Sequence, residues 1–145
     1  MLIREICLED ALPVRQRTIW EDNDSDLVML PDDHKAMHFG LFVNRELVSV
    51  VSTFETGKIV QFRKFGTLPE CRRRGYGSKL LVFMIAFMEK RNISKIWCYA
   101  SSDRIDFYSN FGFVLTSIKS KREGIEYVVM ERRKVSMRIT LAENA

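Results

Sequence analysis

Thr67–Leu68–Pro69–Glu70–Cys71–Arg72–Arg73–Arg74–Gly75–Tyr76–Gly77–Ser78–Lys79 is the stretch on which the fold turns. A strand ends at Pro69, three arginines follow, and two glycines open a helix. The first backbone N–H groups of a helix have no intrahelical partner, and the macrodipole adds partial positive charge there. Glycine lets a phosphate approach the main chain, and arginines beside it add charge-assisted hydrogen bonds. The stretch therefore reads as an anion site built mostly of backbone. It is not GxxxxGK[ST], and GxGxxG fails because its third glycine would be Leu80.

Working outward, Leu2–Ile6 alternates as a short strand, and Leu8–Trp20 reads as a helix with Pro13 near its first turn. Glu21–Asp33 is an acidic connector. Ala36–Val43 and Glu46–Phe54 read as a hairpin turning at Asn44–Arg45, and Lys58–Leu68 as a long fourth strand. Gly75–Arg91 is a helix whose apolar run, Leu80–Met88, should lie on a sheet. Lys95–Ala100 is a strand, Ser102 or Asp103 a cap for a short helix through Asn110, and Gly112 its stop. Phe113–Ile118 and Ile125–Arg132 close the chain as a hairpin around Lys119–Gly124. The order βα(α)βββαβαββ predicts an α/β (α+β) single domain over residues 1–133, a mixed, mostly antiparallel sheet flanked by helices. Residues 134–145 form a C-terminal tail with no partner in this scheme: a docking strand, an interface arm or a loose end.

Two features extend the glycine stretch. Arg72–Arg73–Arg74–Gly75–Tyr76–Gly77 fits [QR]-x-x-G-x-[GA], and Phe107–Tyr108–Ser109–Asn110–Phe111–Gly112–Phe113 fits FYxxxGF about thirty residues downstream. Together they resemble the GNAT superfamily of N-acetyltransferases. The resemblance implies a GNAT-like fold and acetyl-CoA as co-substrate, its pyrophosphate held by Arg72, Arg73, Arg74, Gly75, Tyr76, Gly77, Ser78 and Lys79. It implies that backbone N–H groups at Phe65 and Thr67 hold the thioester carbonyl, and that Tyr108 protonates the departing thiolate. Family members often carry Asn six residues before that tyrosine and Ala three before it. Ser102 and Ile105 stand there instead, with Ser102 the remaining candidate for the pantetheine contact.

The chemistry implied is direct attack by an amine through a tetrahedral intermediate. A primary ammonium of pKa ~10 must first lose its proton. Glu55, Gln61 or water are the open alternatives for that step.

Charge is split along the chain. Residues 1–35 hold nine acidic and four basic side chains; residues 36–145 hold nineteen basic and ten acidic. The acidic segment Glu21–Asp33 and the helix bearing Arg15, Arg17 and Trp20 lie where the resembled family builds its acceptor site, so a small-molecule amine is the expected partner. A peptide amine, a CoA-binding sensor without turnover and a basic nucleic-acid module are the alternatives. No stacked aromatic array accompanies the basic residues, which argues against nucleic acid.

Other constellations carry less. Cys71 sits among arginines without a base partner. His34 and His38 are four apart with no Glu between them, so a surface or pocket-lining role is expected and no metal. Asp22–Asn23–Asp24–Ser25–Asp26 imitates a calcium loop until Leu27 replaces its glycine. Cys7, Cys71 and Cys98 give no disulfide framework, and the nine-residue run Leu80–Met88 is too short for a membrane span. With no signal peptide visible, a cytoplasmic protein is expected, its oligomeric state open and a homodimer among the alternatives.

Overall fold

The computed structural model describes residues 1–22 and 28–134. Seven strands form one sheet in the order β1-β2-β3-β4-β5-β7-β6: β1 Leu2–Ile6, β2 Met37–Val43, β3 Glu46–Thr56, β4 Ile59–Thr67, β5 Lys95–Ser101, β6 Val114–Arg122 and β7 Ile125–Arg133. Every neighbouring pair is antiparallel except β4 and β5. Three helices complete it: α1 Leu8–Asp22, α2 Tyr76–Lys90 and α3 Ile105–Ser109. The single parallel step is forced by the connection, because α2 carries the chain from the end of β4 back to the start of β5.

The core lies between α2 and the sheet. Leu80, Leu81, Met84 and Met88 are fully buried. The Phe39 ring of β2 meets Phe87 edge-on at 5.0 Å and Phe83 at 6.1 Å. Val82 and Ala86 of the same helix are exposed, so α2 is apolar beyond the face it buries. Helix α1 packs on β4 and β3, burying Ala11, Val14 and Thr18, and Thr18 sits against β4 at Gly66. Gly66 makes that approach possible: a Cβ there would lie 2.8 Å from Thr18 Oγ1 and 2.9 Å from Thr18 Cβ.

Asn44 and Arg45 both adopt positive φ, 50° and 69°, as a two-residue hairpin turn requires. Pro13 is the sixth residue of α1, so the Glu9 carbonyl loses its helical donor. Two local expectations are corrected. The last hairpin turns at Glu123–Gly124, not over Lys119–Gly124, and β6 continues to Arg122. Its polar Lys119, Ser120 and Lys121 resemble a loop because β6 is an edge strand, and edges carry such residues. Neither Ser102 nor Asp103 caps a helix; residues Ser102–Arg104 form a 3₁₀ turn, and the Ser101 hydroxyl donates to Asp103 Oδ1 at 2.6 Å.

Among the described residues no helix is long and apolar enough to cross a membrane. The expectations for Asn23–Leu27, and for the tail beyond Lys134, lie outside the described residues.

Candidate active site

The parallel ladder is short. Strands β4 and β5 pair only at Ile59↔Lys95, Val60↔Ile96 and Gln61↔Trp97, and beyond Gln61 they part. In the same stretch β4 bulges: Lys64 and Phe65 together stand opposite Val51, and Lys64 adopts φ +54°. A bulge interrupts the hydrogen-bond ladder and re-aims the strand, here toward the gap it shares with β5. The gap holds a cavity of about 300 Å³ whose lining includes Gln61, Phe62, Phe65, Cys98, Tyr108 and Tyr127. Burial pushes the Cys98 thiol well up, so it contributes a neutral wall.

The local sequence explains how Tyr108 reaches this cavity. After α3, Gly112 takes φ +85°, which lets the chain reverse. The N–H of Gly112 then donates to the Ser109 carbonyl at 3.2 Å, and that of Phe113 to the Tyr108 carbonyl at 3.3 Å. This pair of bonds is the Schellman termination, and it brings the flanking apolar residues together. The Phe113 ring accordingly lies 6.0 Å from Tyr108, and Phe62 lies 5.7 Å from both. Tyr108 is buried in this aromatic cluster, so the FYxxxGF spacing is a turn that packs its own tyrosine.

The glycine-rich loop reaches the same strand from the other side. Gly75 caps α2 at φ +80° with no side-chain capping bond, and the first helical bond runs from Lys79 N–H to Gly75 O at 3.1 Å. The N–H groups of Tyr76, Gly77 and Ser78 precede that bond at the open end of the helix. Nothing lies within 4 Å of where a Gly75 Cβ would be, so an anion can come close there. A Cβ on Gly77 would meet Thr67 Oγ1 at 3.3 Å and Phe65 Cζ at 3.4 Å, so the first turn of α2 rests on the end of β4. Arg72 Nε donates to the Thr67 carbonyl at 3.1 Å. Arg73, Arg74 and Lys79 are exposed, Ser78 is half-buried, and the Tyr76 side chain packs on the core. Open main chain flanked by arginines fits a pyrophosphate.

Phe65 joins the two halves. Its ring touches the Gly77 position, and lies 6.1 Å from Phe62 and 6.3 Å from Phe107. Other candidates separate. Gln61 lines the cavity, whereas Glu55 accepts from Arg91 at 3.1 Å near the C-terminal end of α2. Ser102 is exposed and borders a shallow depression with Ile105 and Lys119.

Several residues at this site escaped the sequence reading. Lys64 is buried at the bulge; the consecutive polar pair Arg63–Lys64 breaks the strand's alternation and was its only signal. Trp97, Arg122 and Tyr127 also line the cavity and carry no local signature. His38 is not at the surface but buried, its Nδ1 accepting from the Ser52 hydroxyl at 2.7 Å and its Nε2 donating to the Asp33 carbonyl at 3.1 Å.

No curated protein matches the chain in sequence. Solved structures match it in fold. A GNAT-family acetyltransferase from Streptococcus pneumoniae superposes with a TM-score of 0.77 at 17% identity, covering 92% of this chain and 99% of that one. The ribosomal-protein-alanine N-acetyltransferase from Brucella melitensis gives 0.75 at 13%, over 92% and 100%. The PaiA N-acetyltransferase from Thermoplasma acidophilum, solved in complex with coenzyme A, gives 0.71 at 16%, over 92% and 98%. Residues 26–134 match the family model described as the acetyltransferase (GNAT) domain, and the chain belongs to that family.

Proposed function

We propose that this protein transfers an acetyl group from acetyl-CoA to the nitrogen of a small-molecule amine, by direct attack and without a metal. The observation that carries this reading is the position of Phe65, in contact both with the open first turn of α2 and with the aromatic cluster holding Tyr108. A cofactor anchored at the loop would extend along β4 into the cavity beside Tyr108. The relative from Thermoplasma acidophilum was solved with coenzyme A, which supports the same ligand here.

When bound, acetyl-CoA supplies an acetyl group activated as a thioester. The N–H groups of Tyr76, Gly77 and Ser78, with Arg72 and the exposed Arg73, Arg74 and Lys79, bind its pyrophosphate. Backbone N–H groups at Phe65 and Thr67 polarise the carbonyl, their value lying in fixed orientation rather than in side chains. Tyr108 hands its proton to the sulfur. Gln61 has no basicity, but its amide can hold the water that carries away the amine's proton. Ser102 would have to reach the pantetheine from an exposed position.

The test is thiol release from acetyl-CoA with a panel of amines, run on wild type and Tyr108→Phe. Losing a positioned general acid lowers kcat by ~10²–10⁴, with the KM for acetyl-CoA unchanged. A Tyr108→Phe protein as fast as wild type removes the proton-donor role. Tight acetyl-CoA binding without thiol release on any amine makes the protein a sensor instead.

A further inference from the structure

Strand register sets three side chains in a row. Gln61 is the partner of Phe54 in the β3–β4 ladder and of Trp97 in the β4–β5 ladder. Directly opposed residues share a face of the sheet, with strands ~5 Å apart at each step. The neutral amide of Gln61 is thus flanked by two aromatic side chains. Leu30, Pro31 and Asp32 face this row and close a second cavity of about 360 Å³ over it. Gln61 and Trp97 line the Tyr108 cavity as well, so the two spaces adjoin.

The Leu30–Asp32 wall is held from behind by buried charge. Arg15 Nη1 donates to Asp33 Oδ2 at 2.7 Å and to the Val28 carbonyl at 2.8 Å. Its Nη2 donates to Asp33 Oδ1 at 2.7 Å and to Ser52 Oγ at 2.8 Å. Asp33 Oδ2 also accepts the Leu30 N–H at 2.7 Å, and His38 secures the Asp33 carbonyl. One guanidinium therefore ties α1, the segment forming the wall, and β3 together.

We propose that the slot over Phe54, Gln61 and Trp97 seats an aromatic or flat apolar group attached to the acceptor amine, and that Arg15 is the positioning residue for its Leu30–Asp32 wall. The inference rests on the acetyl-transfer reading for the word acceptor. Two aromatic sides offer stacking area across a neutral amide, the charged Arg63 and Asp32 stand in the same lining, and the adjoining cavity receives the amine.

The experiment compares phenethylamine with ethylamine. Wild type favours phenethylamine in kcat/KM by at least about tenfold. Trp97→Ala and Phe54→Ala each bring that ratio toward one, and Phe54→Ala, which lies outside the Tyr108 cavity, leaves the KM for acetyl-CoA in place. Arg15→Lys keeps the charge but loses the fork; it raises the KM for phenethylamine and spares ethylamine, whereas equal losses on both amines overturn the positioning role. Binding is followed separately through the Trp97 indole resonance, assigned by Trp97→Phe. A phenethylamine-induced shift without turnover upholds the slot and removes the acetyl-transfer reading. Turnover with equal kcat/KM for both amines and an unmoved indole overturns the slot and leaves that reading standing.

Discussion

Arg15 grips Asp33 with both terminal nitrogens at 2.7 Å, and the two side chains are 1% and 2% exposed. An ion pair this dry gains little over a well-packed apolar pair, but breaking it strands a charge. Arg15→Met should therefore destabilise the fold by ~3–5 kcal/mol. Adding Asp33→Leu should recover much of that loss, because no charge is then left buried. Urea unfolding of the single and double variants checks this; equal midpoints for the two would refute it.

The same cluster predicts an acid-sensitive fold. Burial holds the His38 imidazole below its ordinary pKa, with the Arg15 charge acting in the same direction. Below ~6.5 the unfolded chain binds a proton that the folded one refuses. This contribution to stability is complete above that pH and is lost as pH falls through the folded value. Burial alone would raise the Asp33 carboxyl, yet the Arg15 hydrogen bonds and the Leu30 N–H outweigh it and hold it below the usual carboxylate range. Its contribution is lost at still lower pH. Urea midpoints for wild type should drop as pH falls below ~6.5, whereas His38→Gln should be less stable but flatter there; parallel pH profiles would count against the assignment.

Gly75 should tolerate little. At φ +80° a β-branched residue is strained by ~1–2 kcal/mol, and its side chain would fill the open space where an anion approaches. Gly75→Val is expected to abolish acetyl-CoA binding in a calorimetric titration, while Gly75→Asn, better suited to left-handed φ, keeps part of it. Wild-type affinity in the valine variant would dismiss the loop as the anchor.

Gly66 tests how α1 is seated. A methyl group there meets the branch point of Thr18 rather than a flexible tip. Gly66→Ala should cost ~1–3 kcal/mol through overpacking, read as a lower melting temperature. A melting temperature equal to wild type would mean that α1 can lift from β4 freely.

Much of the element order was legible because its signals are local. The alternation of Leu2–Ile6, the Asn44–Arg45 turn and the glycines that open α2 act within a few residues of chain. Local polarity also misled where tertiary position overrode it. Lys119–Lys121 read as a loop but form an edge strand, and His38, a candidate surface residue, is buried against Ser52 and the Asp33 carbonyl.

By itself the sequence determined the two motifs around the site. Gly75 opens a helix whose end is bare main chain, and Gly112 reverses the chain onto Tyr108, both through backbone conformations that few other residues adopt. Tertiary structure alone decided what stands between them. The parting of β4 from β5, the bulge at Lys64–Phe65, the Phe54–Gln61–Trp97 row and the Arg15–Asp33 pair all depend on which strands adjoin and in what register. Those contacts join residues from 7 (Phe54–Gln61) to 36 (Gln61–Trp97) positions apart, and their energy exists only once the sheet has aligned them. A period-two pattern says which face a residue takes, but not which residue it will meet there.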